Sequence, residues 1–587
     1  IALTGSTSLK PDAPEGASWT PDEAEIEAKF GLGKNNSRQV YAKGKIKIDL
    51  DEKETKNVNL GGESLGSYFQ SGKVLNDFSV YTNRKSPEQQ PEIKSKNYVY
   101  IQDAKLGAQT VDLASSLELG FDKENGLSFE PIEEDDNIPL EKKASKNGVE
   151  FFVNGKQYFP EMQKMIREAK ESLDLETYML HNDASGNKAM YMLAKKAAGL
   201  EPVDKVVKYS PQSPDGIKVK VMFNSWQGKL DYGEESEKVV RDAISKVKDE
   251  IKNSKLTDKQ KETAIEHLEN NMKWKFFTDG ILRSDHRKVF VVDGTQATVG
   301  GMNMGSQYLS EDAYHDVMLK IAGPEVRNVH KEFLENWFEF NNLPQPNEKE
   351  MDSLLKSKEF LNNELQNLQS QGKFKNTARV GVLVTDDNET NIEKGIINLI
   401  DNAKDEINIE QAFFSSDKIN KHLSEAMKKG VTVNVVIAKH SVMSMFNDAN
   451  LYSVYQLLKT KKEGAKGDIK LFYYDNNGHE TKHIHTKAIS TDRNKAIIGS
   501  ANMIGRSLKS PFTKINKDGT TSQAMYNKEL SLFVKGDKMV NEINSRLFGE
   551  DMTNNSKEIS HEEIEKLVQQ AGGEKALKKK ALIAQFT

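Results

Sequence analysis

The sequence predicts an α/β protein built as two similar halves, with a β-rich region in front of them. Three observations carry that reading: an order of helices and strands that runs twice, a short charged motif that falls once in each run, and a change of texture near residue 146. At 587 residues the chain is also too long for one compact core, so two large units or more are expected.

Up to residue 145 the chain is rich in Gly, Ser, Asn, Lys and Asp. It carries alternating stretches such as "KGKIKIDL" (43–50), "NYVYIQ" (97–102) and "SSLELGF" (115–121). Alternation bounded by Gly, Asn and Pro reads as short strands, hence a β-rich accessory domain over 1–145. The first half spans 146–345. Here "FPEMQKMIREAKES" (159–172) has helical spacing of apolar residues, "LDLETYML" (173–180) follows as a strand, and a second helix leads to the strand "GIKVKVMFNS" (216–225). The second half, 376–550, repeats the order: helix "NIEKGIINLIDNAKDE" (391–406), strand "INIEQAFF" (407–414), another helix, strand "GVTVNVVIA" (430–438). The same elements in the same order mark an internal duplication of an α/β unit. Residues 229–271 are highly charged with helical periodicity and read as a helical pair inserted in the first half only. Residues 346–375 read as a polar linker helix, and 551–587 as a charged tail whose basic end is a solvated helix terminus.

The motif is H-x-K-x4-D. "SDHRKVFVVDG" (284–294) supplies His286, Lys288 and Asp293, and "HTKAISTD" (485–492) supplies His485, Lys487 and Asp492. Each is followed by Gly-[Gly/Ser]-x-Asn, ending at Asn303 and Asn502, seventeen residues after its histidine. One such match is weak; two, in the same place of a duplicated unit, are strong. Histidine and lysine at i and i+2 share a strand face, the acid falls at the far end of the strand, and the next strand returns the asparagine beside the lysine. Two halves facing each other then form a pocket of two imidazoles, two ammonium groups and two amides.

That set suits a phosphodiester. The lysines and amides stabilise the non-bridging oxygens of a five-coordinate transition state, one imidazole attacks phosphorus, and the other protonates the leaving alkoxide and then activates the incoming hydroxyl. No cofactor is expected, and no metal at these histidines, where neighbouring lysines repel a divalent ion.

Composition narrows the rest. The 36% hydrophobic and 29% charged content is that of a water-facing globular chain, and no apolar run reaches the length of a membrane helix. A formal charge of −5 disfavours bulk electrostatic binding of nucleic acid, so no stable nucleic-acid partner is expected. Cysteine is absent, which removes disulfides, thiolate metal sites and thiol catalysis. The chain begins at Ile1 and not Met, which fits removal of an upstream segment and leans toward a secreted or periplasmic location.

On the two motifs, and on "ATVGGMNMGSQYL", "HDVMLKIAGPEV" and "FLENW" in the first half, the chain resembles the phospholipase D superfamily over about 149–548, most of all the bacterial phospholipase D and cardiolipin-synthase-like branch. The resemblance implies two pseudo-symmetric phospholipase D-like α/β sandwich halves. It also implies that Asp316 orients His286, that Glu529 orients His485, and that His286 is the nucleophile with His485 the general acid. The branch often has arginine where this chain has His315, and its membrane-bound synthases carry N-terminal transmembrane helices that are not visible here. His181 reads as a surface-loop residue sooner than a pocket residue, and His483 as a neighbour of His485. Met443, Met445, Phe446, Tyr452 and Tyr455 read as helix packing sooner than an acyl contact.

The function expected is hydrolysis of glycerophospholipids at a membrane surface, giving phosphatidic acid and a free head-group alcohol. The alternatives are phosphatidyl transfer to an alcohol, as in phospholipid synthesis, and a nuclease on the same fold. With both motifs in one chain, a monomer is expected.

Overall fold

The computed structural model describes the strand backbones up to residue 128. Beyond these it describes residues 140, 144–224, 232–277, 283–310, 313–386, 389–439, 445–475, 483–508, 512–515, 521–524 and 526–584. Two units separate, one of 1–136 with 511–525, the other of 137–510 with 526–587. The first is an antiparallel meander of seven strands in chain order, from Leu3–Leu9 to Gly126–Ser128. The three alternating stretches read from the sequence fall inside its strands Arg38–Leu50, Glu92–Leu106 and Gln109–Asp122.

The second unit is one continuous sheet. The first half contributes β1 (Ser145–Val153), β2 (Ser172–Thr177), β3 (Lys218–Asn224), β4 (Met272–Phe277), a short β5 (Arg283–Asp285), β6 (Val289–Val292), β7 (Gln296–Gly300) and β8 (Val317–Ala322). The second contributes β9 (Asn376–Thr385), β10 (Glu406–Gln411), β11 (Thr432–Ala438), β12 (Ile469–Tyr474), β13 (Lys487–Thr491), β14 (Lys495–Gly499) and β15 (Tyr526–Lys535), followed by β16 (Ser556–Ile559). The order is β4-β3-β2-β6-β7-β8-β1, then β9-β15-β14-β13-β10-β11-β12-β16. Read outward from the antiparallel seam β1·β9, the two sets of seven match position for position, including the parallel pairs β2·β3·β4 and β10·β11·β12. The duplication therefore has a pseudo-two-fold relation at its centre. The strands that flank the seam, β8 and β15, are buried along Val317–Ala322 and Tyr526–Phe533, as expected where helices cover the sheet, and the buried stretches include the charged Lys320, Lys528 and Glu529.

Three regions are more tightly built than their composition suggests. The 229–271 insertion is a pair of helices, Tyr232–Lys252 and Asp258–Asn271, between β3 and β4; the second half spans the equivalent β11–β12 connection with one helix, Met445–Lys462. That helix buries Phe446, Tyr452, Val454, Leu457 and Leu458 in the core of its half, so its aromatics pack; Met443 lies outside the described residues. The tail is not merely solvated: β16 extends the sheet edge, and helices His561–Gln570 and Glu574–Ala584 bury Ile564, Val568, Leu577 and Ala581 in the same core. Its charges sit on the outer faces, where Lys580 pairs with Asp448 at 2.6 Å. Among the described residues no helix is long and apolar enough to cross a membrane.

Candidate active site

In each half the motif runs from an extended segment into a tight hairpin. β6 and β7 turn through the three-residue connection 293–295, with Asp293 and Gly294 both left-handed at φ of 54° and 62°, a backbone that an Asp-Gly pair favours. β13 and β14 turn in the same way at Asp492 and Arg493. The motif's acid serves this architecture. Asp293 accepts the backbone N–H groups of Lys170, Glu171 and Ser172 at 2.7–3.1 Å, and Asp492 those of Lys404, Asp405 and Glu406 at 2.9–3.2 Å. Each latches the turn to the start of β2 or β10, at the end of the strand away from the histidine.

At the other end the chain crosses between halves. β5 pairs in parallel with the start of β15, and the His286 N–H donates to the Lys528 carbonyl at 2.9 Å. Symmetrically, His315 bridges Ile484, and the His485 N–H donates to the His315 carbonyl at 2.8 Å. Each histidine is thus seated beside the residue that precedes the other half's acid. His286 Nδ1 lies 3.0 Å from Glu529 Oε2 and 3.1 Å from the Ser500 carbonyl oxygen, while His485 Nδ1 lies 2.7 Å from Asp316 Oδ2. The expected pairing is corrected by this crossing: Asp316 holds His485 and Glu529 holds His286.

The remaining motif residues converge on the same buried centre. Lys288 and Lys487 each donate to the backbone carbonyl of their own histidine. Asn303 accepts the Met179 N–H at 3.1 Å through its carbonyl and donates to the Tyr308 hydroxyl at 3.3 Å. The buried side-chain carbonyl of Asn502 has no hydrogen-bond partner among the described residues. The halves differ at one trailer position. Ser500 donates its hydroxyl to Glu529 at 2.5 Å, whereas its equivalent is Gly301, where a Cβ would stand 2.2 Å from Asp316 Oδ1.

Sequence reasoning missed Ser500 as a support for Glu529, and three tyrosines. Tyr178 meets His286 edge-on at 4.8 Å, its ring centre 5.0 Å from Lys288 Nζ. The Tyr308 hydroxyl is 3.3 Å from His485 Nδ1, and Tyr314 lies between the rings of His483 and His485. The contrast between GGMN and GSAN was a usable signal for Ser500; no spacing marks the tyrosines. His181 meets Gln307 at 2.8 Å, and His483 packs on Tyr314, so neither joins the catalytic pair.

The field in this pocket is cationic and poorly hydrated. Burial and Lys487 push His485 down to about 4, against the pull of Asp316. Burial also lowers His286; Glu529 opposes that and Lys288 adds to it, leaving it below the ordinary histidine value. Burial brings Lys288 down to about 7 and Lys487 to about 8. Burial pushes Glu529 up, but His286, Lys288 and the Ser500 hydroxyl outweigh it and hold the carboxyl low. A site that lowers all its cations is one built to receive an anion, whose charge raises them again.

This sets a pH profile. In the free enzyme the lysines carry charge below their lowered pKa values and lose it above, so kcat/KM is expected to fall as pH rises past about 7 to 8. The acid limb, where the attacking imidazole takes a proton, lies below the usual histidine range. In kcat the alkaline limb moves upward, because bound phosphodiester holds the lysines charged. The check is both profiles on a soluble short-chain substrate; kcat/KM still flat at pH 9 would contradict it.

A family model described as "Cardiolipin synthase, PLD-like domain" matches residues 162–337 and 396–548, more than half of the chain and both of its halves. The chain belongs to the phospholipase D superfamily. Within it, "Cardiolipin synthase 2" of Staphylococcus epidermidis is 23% identical over 378 residues, 63% of this chain and 64% of that protein. The cardiolipin synthase of Listeria monocytogenes is 25% identical over 374 residues, again 64% of its length, so the chain spans just under two thirds of these relatives. The cardiolipin synthase of Oceanobacillus iheyensis is 24% identical over 72% of this chain and 77% of that one. Among solved structures, the phosphatidylserine synthase of Haemophilus influenzae aligns over 75% of this chain and 95% of its own, at 13% identity and a TM-score of 0.46. The family match rests on the two halves, and the phospholipase D-like sheet of each is the one described above.

Proposed function

We propose that this phospholipase D-superfamily enzyme is a phosphatidyltransferase of the cardiolipin-synthase type, with water as a competing acceptor. The observation that carries the choice of transfer over hydrolysis is the family match across both halves, together with relatives named as cardiolipin synthases. Hydrolysis, expected first from the sequence, becomes the side reaction.

The geometry supports the chemistry as follows. Glu529 and the Ser500 carbonyl hold the proton of His286 on Nδ1, which leaves the Nε2 lone pair free to attack phosphorus. The bond from phosphorus to the head-group oxygen breaks, and the departing alkoxide takes a proton from His485, whose Nδ1 is anchored by Asp316. Lys288, Lys487, Asn303 and Asn502 stabilise the non-bridging oxygens. The acceptor hydroxyl then gives its proton to His485 and attacks phosphorus, breaking the P–N bond and freeing His286. In the resting pocket burial and Lys487 lower His485 to about 4, which works against its role as acid; the negative phosphodiester supplies the charge that lets it take a proton. Cardiolipin is a glycerol carrying two phosphatidyl groups, so the acceptor for its formation is a lipid with a glycerol head group.

The test uses vesicles rich in phosphatidylglycerol beside a labelled oligonucleotide, each with and without added ethanol. The expected products are cardiolipin with released glycerol, and phosphatidylethanol when ethanol is present. Phosphatidic acid as sole product in all mixtures would make the protein a hydrolase. Oligonucleotide cleavage with intact lipid would make it a nuclease.

A further inference from the structure

Beside the catalytic pocket, and outside the chemistry just described, three ionisable side chains converge at β10 of the second half, His315 reaching there from the first half. His315 Nε2 lies 2.8 Å from Asp551 Oδ2 and 3.2 Å from Glu410 Oε1. One ligand atom from each residue lies within 4.8 Å of the others, and all three side chains are at least 95% buried. Neither oxygen of Glu410 accepts a well-formed hydrogen bond, nor does Asp551 Oδ2; Asp551 Oδ1 accepts from Asn555. The neighbouring Thr486 gives its hydroxyl to the His315 carbonyl at 3.2 Å.

The equivalent place in the first half is furnished differently. There Lys528 stands where the second half has His315, donating to Asn336 at 3.0 Å and pairing with Glu339, while Asn336 also donates to Glu176, the counterpart of Glu410, at 2.6 Å. A permanent cation and an amide answer those carboxylates. In the second half, among the described residues, His315 is the one cationic partner of both Glu410 and Asp551. A surface cavity of about 540 Å³ reaches His315, Asp551 and Asn555, so the cluster has an approach from solvent.

We propose that His315, Glu410 and Asp551 form a binding site for one divalent transition ion of the zinc or manganese type, separate from catalysis. One imidazole with two carboxylates is a donor set for such ions. Ligands about 2.0–2.1 Å from zinc stand roughly 3.0–3.4 Å apart; the two distances from His315 Nε2, 2.8 and 3.2 Å, are near that spacing, and the carboxylates lie within 4.8 Å of each other. Binding replaces the imidazolium proton: the Nε2 lone pair goes to the metal, the proton leaves to solvent, and the cluster passes from a net charge of −1 to zero. The ion would clamp the crossing segment whose carbonyl receives the His485 N–H, and so hold Asp316 at its station. It acts on position and stability, while phosphoryl chemistry stays with the histidines and lysines.

The tag-free full chain, stripped with EDTA, is titrated with zinc and with manganese, and bound metal is counted by plasma mass spectrometry after gel filtration. One equivalent is expected, with a higher thermal midpoint on loading, and turnover that persists after chelation at temperatures where the fold is intact. His315→Arg, which supplies a fixed cation as Lys528 does, is expected to lose the equivalent, and Asp551→Asn to weaken binding at least about tenfold. Circular dichroism checks that both variants fold. X-ray absorption on the loaded wild-type protein keeps the question open to refutation if they do not: it should show a single imidazole among oxygen donors. No bound metal, binding that His315→Arg retains, or two or more imidazoles at the ion would overturn the site and leave the cluster as a buried ion triad. Loss of all turnover on chelation, restored by metal, would overturn the separation from catalysis.

Discussion

His286→Asn is expected to lower turnover on the order of 10⁴-fold or more, the scale of removing a covalent nucleophile. His485→Asn is expected to fail differently. With the acid gone, leaving-group departure slows, and with the base gone, so does breakdown of the phosphoenzyme; a phosphorylated peptide containing His286 should accumulate and be trapped by acid quench. A substrate with an activated leaving group needs little protonation, so it should restore formation of the intermediate in His485→Asn and do nothing for His286→Asn. The two imidazoles are chemically alike, each buried and each held through Nδ1 by a carboxylate, so the choice of His286 rests on the superfamily resemblance. Phosphorus found on His485 would exchange the roles without disturbing the rest of the pocket.

Asp316→Asn is expected to copy the His485 lesion and not the His286 lesion. An amide oxygen in place of the carboxylate keeps a partner for Nδ1 but removes the charge that supports an imidazolium and can reverse the favoured tautomer. Losses between about 10² and 10⁴ in kcat are the expected range for such orienting acids. The diagnostic is rescue: an activated leaving group should recover much of Asp316→Asn, whereas Glu529→Gln, which disables the attacking imidazole, should stay slow on the same substrate. In double mutants, Asp316→Asn should add little to His485→Asn, because both remove one function. Near-additive losses for that pair, with strong non-additivity between Asp316→Asn and His286→Asn instead, would refute the exchange of acids between halves.

The exchange shows where sequence stops informing. Residues His286, Lys288 and Asn303, and their repeats His485, Lys487 and Asn502, were legible because motif spacing is a local property: a strand has period two and a hairpin returns the chain at a fixed distance. The duplication was legible for the same reason, through the repeated order of periodic segments. Asp293 and Asp492 were recognisable as motif members, yet their use as latches on the backbone of residues 170–172 and 404–406 depends on a turn conformation and on strands over eighty residues away in sequence.

Which acid serves which histidine was a tertiary matter. It follows from two short parallel pairings, β5 with β15 and His315 with Ile484, that carry each motif across the seam. Nothing in the residue types of those segments announces the crossing, since parallel pairing between remote segments leaves no local period. The same holds for Tyr178 and Tyr308, placed against the catalytic rings by the sheet and not by any spacing. It holds for His315 as well. From the sequence it is a histidine where its superfamily branch often has arginine; only the fold places Glu410 and Asp551, from strands and helices of the other half, against its ring. The sequence by itself determined the chemistry, because chemistry resides in side chains at fixed local intervals. The tertiary structure alone decided the partnerships, because joining the halves at the β1·β9 seam and burying the flanking strands β8 and β15 forces remote polar groups into contacts that the chain order does not encode.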